Sequence, residues 1–158
     1  MLTIRHAEPS DYAPIIDVLN DWWGGRSMSD MLPKLFFVHF RDTSLIAEMD
    51  GQRVGFLIGF CSQTFANEAY IHFVGVHPDY RKHGIGRTLY ERFFDIANTQ
   101  GMTAVRCVTS PLNKTSIAFH TCMGFEPEPH EWQLDGIPYY QDYDGPGGDR
   151  VLLVKKLD

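Results

Sequence analysis

Cysteine is scarce. Cys61, Cys107 and Cys122 are the only three in 158 residues, and no two form a CxxC pair. An odd, scattered set excludes a disulfide framework and suits a reducing compartment. Long hydrophobic runs are missing too. The longest, Val54 to Cys61, falls far short of the ~20 residues a membrane span needs. The chain meets charge at Arg5 and Glu8, too early for a signal peptide. The expectation is a cytoplasmic protein without a membrane partner. No repeat, low-complexity tract or Ser- or Pro-rich linker divides the chain. At roughly 100–200 residues per domain, residues 1–158 form a single domain. A chain of this size buries roughly 68–70% of its unfolded surface, enough to fold without metal or disulfides.

Positive charge is the scarcer sign. Lys plus Arg number 14 and Asp plus Glu number 20, a net charge of −6. An acidic domain argues against a nucleic-acid partner, which calls for a basic face. It suits a cationic small molecule, because net charge steers encounters. What the chain does have is apolar substance. Hydrophobic residues make up 44% and aromatics 13%, and the high aromatic share argues against disorder.

Local pattern predicts a strand over 2–6, then a helix capped by Ser10 with Tyr12, Ile15, Ile16 and Leu19 at helical spacing. A second helix is predicted from Ser29 to about Phe40. Leu45 to Met49 and Arg53 to Phe60 read as strands joined by the hairpin signal Asp50-Gly51. Ala69 to Val76 is a third, with Ile71 and Phe73 on one face and His72 and Val74 on the other. Helical spacing returns over 85–97, and a strand follows over 103–108. A short helix spans 114–123, a strand 125–132, a loop 135–149 and a last strand 150–157. The order predicts an α/β (α+β) fold: a mixed, mostly antiparallel sheet of six to seven strands with helices on both faces.

Between a strand and a helix lies Val76-His77-Pro78-Asp79-Tyr80-Arg81-Lys82-His83-Gly84-Ile85-Gly86-Arg87. Glycines let the backbone approach a ligand closely, and N–H groups at a helix start favour an anion. Arg81, Lys82 and Arg87 add positive charge. The loop lacks the Gly-Lys-Ser/Thr of a Walker site and the third glycine of a dinucleotide fingerprint. Alone, Gly-x-Gly is equally a tight turn with surface charges.

Arg81-x-x-Gly84-x-Gly86 after Val74-Gly75-Val76-His77-Pro78 resembles the acyl-CoA loop of the GNAT N-acetyltransferase superfamily. Asn113, Ala118-Phe119 and Met123-Gly124-Phe125 resemble its second signature. The resemblance is strong over 69–125 and rests elsewhere on element order. It implies a sheet that splays between strands 69–76 and 103–108, with acetyl-CoA as co-substrate in the opening. It implies pantetheine along 73–76, with Val74 or Val76 offering a backbone N–H to an oxyanion. The pyrophosphate would lie on Lys82, His83, Gly84, Ile85, Gly86, Arg87 and Thr88. Asn113 would bond near the thioester, with Ser116 and Phe119 beside the pantetheine and Phe125 in the core.

The implied reaction moves an acetyl group from the thioester to an amine, which must lose a proton first. Where many relatives carry a Glu base, this chain has His72, either base or packing histidine. A neutral imidazole accepts protons near physiological pH. Where many carry a Tyr acid after the helix Phe, it has His120. A thiol leaves more easily than a phenol ionises, with ordinary pKa values near 8.5 and 10, so the loss need not abolish transfer. His72, His77 and His83 lack metal-ligand spacing, and no metal is expected. Acceptor candidates are Trp22 and Arg26 at the helix junction, and Tyr140 and Asp142 in the late loop, as ring faces and charges for an amine.

The expected acceptor is a small-molecule or peptide amine. The alternative is a non-catalytic acyl-CoA-binding module. A third, transfer to aminoacyl-tRNA, runs against the charge. An exposed aromatic patch would make a homodimer plausible. On this reading Gly84→Asp abolishes acetyl-CoA binding in a calorimetric titration, because a carboxylate fills the pyrophosphate site. Retained affinity would show that the loop does not hold the cofactor.

Overall fold

The computed structural model describes residues 1–158. In chain order the elements are β1 (Leu2–His6), α1 (Tyr12–Trp22), α2 (Leu35–His39), β2 (Leu45–Met49), β3 (Gln52–Cys61), β4 (Glu68–Val76), α3 (Ile85–Thr99), β5 (Ala104–Thr109), α4 (Lys114–Cys122), β6 (Glu126–Pro127), β7 (Gln133–Leu134), β8 (Ile137–Pro138) and β9 (Val151–Lys156). Seven strands form one sheet in the order β1-β2-β3-β4-β5-β9-β6. Only β4 and β5 run parallel; the other neighbours are antiparallel. No helix is long and apolar enough to cross a membrane.

Each sheet face has its own core. Leu45, Leu57, Ala69, Ile71, Val105 and Leu153 pack against Ile85, Leu89 and Phe93 of α3 and against Met123 and Phe125 after α4. On the other face Ile46, Phe56, Ile58 and Phe73 pack against Ile15, Leu19 and Trp22 of α1 and Phe37 of α2. Fully burying one such side chain contributes about 1.5–3 kcal/mol. Ile71 and Phe73 therefore face opposite sides, contrary to the expected alternation. The cause is a bulge: Ile58 pairs with Phe73 while Gly59 pairs with Ile71, leaving His72 as the extra residue. One unpaired residue reverses side-chain parity along the rest of the strand.

Prolines account for two other departures. The helix expected over 29–40 breaks at Pro33 into a single turn, Ser29–Met31, and the short α2. The strand expected over 125–132 shrinks to β6, because Pro127 and Pro129 cannot donate to a ladder. An unexpected hairpin, β7–β8, spans the start of the loop expected over 135–149, with β7 just before it and the turn at Asp135-Gly136, both with positive φ.

Asp11, not Ser10, organises the start of α1. Its carboxylate takes two bonds from Arg5 at 2.7 and 2.9 Å, one from Arg53 Nε at 2.8 Å and one from the Glu8 N–H at 2.8 Å. A side chain only 1% exposed thus ties β1, β3 and α1 together. Burial pushes its pKa up, but the bonds from Arg5, Arg53 and Glu8 outweigh burial and hold it at about 2. A depressed carboxylate stabilises the fold above the ordinary range near 3.9, and that gain is lost as pH falls through about 2. Asp11→Asn should lower stability at neutral pH by about 2 kcal/mol. In denaturant titrations the gap between the two proteins should close from pH 4 toward pH 2.

Candidate active site

The parallel ladder between β4 and β5 has three pairs: Glu68 with Ala104, Ala69 with Val105 and Tyr70 with Arg106. Beyond them the strands part. β4 stays paired to β3 as far as Val76 with Gly55, and β5 to β9 as far as Thr109 with Val151. The edge of β4 facing the gap is therefore open over Ile71–Val76. Unpaired backbone groups seek partners, so this edge suits a ligand with amides of its own.

The open edge runs into the glycine loop. Lys82 (φ 66) and Gly84 (φ 80) both adopt the left-handed conformation, which Gly84 takes without a Cβ penalty. The N–H groups of Lys82 to Arg87 donate to no backbone or side-chain acceptor; the first closed bonds run from Thr88 N and Oγ1 to the Gly84 carbonyl at 3.0 and 2.9 Å. Six successive free donors at the start of α3 suit a pyrophosphate. Lys82, His83 and Arg87 are exposed around them. Arg81 does something else: its Nε donates to the Val76 carbonyl at 3.1 Å and its Nη2 to the Trp22 carbonyl. These two bonds anchor the loop to the ends of β4 and α1.

Ile85 is buried beneath the loop. Val74 and Val76 are half-buried toward α3. Across the gap, α4 presents Phe119, near Gly86, together with Ser116 and Asn113. Asn113 Oδ1 caps α4 by accepting from Ser116 N at 3.1 Å, which leaves its amide N–H groups without a protein partner. Ser116 Oγ accepts from Thr109 Oγ1 at 3.0 Å.

His72, at the bulge, stacks on Phe36 with ring centroids 4.5 Å apart. Its Nε2 lies 2.6 Å from the Met31 carbonyl. A carbonyl only accepts, so Nε2 carries the hydrogen and Nδ1 keeps the lone pair. His120 is placed differently from its expected role as an acid facing the cleft. It is 7% exposed; Nδ1 donates to the Ser116 carbonyl at 2.7 Å and Nε2 accepts from Tyr90 Oη at 2.8 Å. Burial lowers its pKa, opposed by the bond to Ser116. It is a satisfied core histidine.

The acceptor candidates also disperse. Trp22 is 5% exposed and stacks on Phe56. Its neighbour Trp23 stacks on Phe73 at 4.9 Å and lies so close to Gly75 that a Cβ there would meet its ring at 2.8 Å. Arg26 is exposed and forms no ion pair. Tyr140 donates to the Pro129 carbonyl and packs on His130. Asp142 turns inward, accepting from Gly147 N at 2.8 Å, while Asp149 accepts from Asp142 N at 2.8 Å. The late loop thus spends these carboxylates on its own shape.

A family description, Acetyltransferase (GNAT) family, matches residues 12–125. The chain belongs to the GNAT family. It is 35% identical over 79 residues to the L-2,4-diaminobutyric acid acetyltransferase of Nocardia farcinica, a match covering 50% of this chain and 41% of that protein. The match thus spans less than half the length of that relative. The structure of Ard1 from Thermoplasma volcanium superposes with a TM-score of 0.79 at 20% identity, covering 99% of this chain and 98% of that one. A Salmonella typhimurium protein solved with its cofactor acetyl-CoA gives 0.74 at 22%, covering 100% and 95%. These likenesses bear out the expected mixed sheet of six to seven strands, which has seven, and its GNAT architecture.

Tyr70 and Arg106, absent from the expected site residues, stand at the last rung before β4 and β5 part. Arg106 carried a signal: a lone charge inside the apolar strand Ala104-Val105-Arg106-Cys107-Val108. For His120, Tyr90→Phe removes its hydrogen-bond donor and should cost about 1–3 kcal/mol. In an NMR titration the native His120 should ionise below the ordinary value near 6.5. It stabilises the neutral fold above that value, and the gain is lost as pH falls.

Proposed function

We propose that the protein transfers the acetyl group of acetyl-CoA to a primary amine of a small molecule or peptide by direct attack. The observation that carries this reading is the open edge of β4 running into six unbonded N–H groups at the start of α3. On it, the β4 edge over 73–76 pairs with pantetheine amides, and Lys82 to Thr88 hold the pyrophosphate. The Asn113 amide, Ser116 and Phe119 flank the arm. Acetyl-CoA supplies an acyl carbon activated as a thioester.

The protein's part is to bring an unprotonated amine to that carbon. His72 Nδ1 takes a proton from the ammonium, directly or through one water, while the Met31 carbonyl fixes the other nitrogen. The N–C bond then forms as the C–S bond breaks, and the second amine proton ends on the sulfur. A backbone N–H of Val74 or Val76 steadies charge on the acyl oxygen. Thiolate departure has no side-chain acid in this scheme. His120, enclosed by Tyr90 and Ser116, holds α4 in place against α3. That enclosure also favours a second reading, a cofactor-binding module without turnover.

Release of thiol from acetyl-CoA, measured against polyamines, amino acids, aminoglycosides, aromatic amines and short peptides, separates the two. Catalysed release with any amine supports transfer; release at the uncatalysed rate throughout, with acetyl-CoA bound, supports the module. His72→Ala should lower turnover about 10²-fold and displace the alkaline rise of the rate. An unchanged pH profile would return His72 to a packing role.

A further inference from the structure

At the crotch of the fork a cavity of about 290 Å³ opens, lined among others by Glu68, Tyr70, Arg106, Glu128, Phe65 and Tyr143. Ala69 and Val105 belong to the α3-side core, so by strand alternation Tyr70 and Arg106 face the other way. This is the last paired rung before the strands part. Arg106 Nε donates to Glu68 Oε1 at 2.8 Å, and Nη1 donates to Glu128 Oε1. The second oxygen of each carboxylate takes no bond within the protein. Two carboxylates against one guanidinium leave the lining one negative charge in excess. Phe65 and Tyr143, 62% and 49% exposed, also line the cavity, and aromatic rings favour a cation beside them. Burial and then the neighbouring Tyr143 push the Tyr70 phenol up to about 12, so it stays neutral and adds no charge.

We infer that this cavity seats the distal ammonium of a linear diamine or polyamine, whose other amine is the one acetylated. The inference rests on the acetyl-transfer reading and names its substrate class. Charge balance decides it. One ammonium on the free carboxylate oxygens neutralises the lining, whereas an amino acid would bring its own carboxylate against Glu68 and Glu128. Position supports it. Because His72 is the extra residue of the bulge, Tyr70 to Phe73 spans only the two steps from Phe60 to Ile58 on β3, about 7 Å at ~3.4 Å each, a span for a short flexible alkyl chain. Val108 and Leu152 line the same cavity and give that chain an apolar wall.

The test compares kcat/KM for cadaverine and spermidine with pentylamine and 2,4-diaminobutyrate. A charge-assisted bond to the second ammonium should favour cadaverine over pentylamine by about tenfold or more, and added salt should erode that ratio. Glu128→Gln should bring the ratio toward unity. Tyr143→Leu, which leaves Arg106 and its partners intact, should lower it by a smaller factor. A wild-type ratio near unity, a ratio unmoved by both variants, or preference for diaminobutyrate over cadaverine would each overturn the inference. If no amine is acetylated, the transferase reading fails, and calorimetry with cadaverine alone then decides the cavity. Salt-sensitive binding weakened by Glu128→Gln upholds the site; absence of binding removes it.

Discussion

β4 and β5 are joined by three residue pairs at one end and separated by open space at the other. The active-site geometry depends on that fork. Parallel neighbours need a crossover, and here α3 supplies it, so the helix start arrives at the open end of β4. Each strand keeps a full ladder on its far side, β4 with β3 and β5 with β9. The sheet can therefore part in the middle without losing either half. Just past the last rung, the bulge at His72 exchanges which residues of β4 face each core: Ala69 and Ile71 face the α3 side before it, Val74 and Val76 after it. The same few residues open the edge, reverse the parity and present an imidazole.

Much of this was legible. The Asp50-Gly51 hairpin, the α3 periodicity and the glycine loop all depend on contacts between near neighbours in sequence, and their patterns fix type and place. The bulge was not legible, because alternation over 69–76 is unbroken on paper and only pairing to Gly59 reveals the extra residue. His120 was misread for a related reason. Its partners Tyr90 and Ser116 lie 30 and 4 residues away, and nothing in the local pattern says that the ring turns toward Tyr90 and away from the cleft. Asp142 and Asp149 look like a substrate wall until their bonds to the loop backbone are seen. Asp135-Gly136 carried the same turn signal as Asp50-Gly51, but its flanking strands are only two residues long.

The acidic balance of the chain finds local expression at one place near the fork. Asp11 is satisfied by two arginines and Asp144 by Arg150. Glu68 and Glu128 instead share a single arginine, at the rung where the strands separate. A charge count over the whole chain says only that cations are welcome; the register of β4 on β5 says where.

Arg81 joins two regions that the sequence keeps far apart. Its guanidinium holds the carbonyl of Val76, at the end of β4, and that of Trp22, at the end of α1. The glycine loop and the junction bearing Trp23 therefore share one rivet. Whatever resets the rivet from one side is felt on the other, and thermodynamics makes the effect reciprocal. A molecule that tightened the loop through Arg81 would prime the junction by the same factor with which an occupant of the junction tightened the loop.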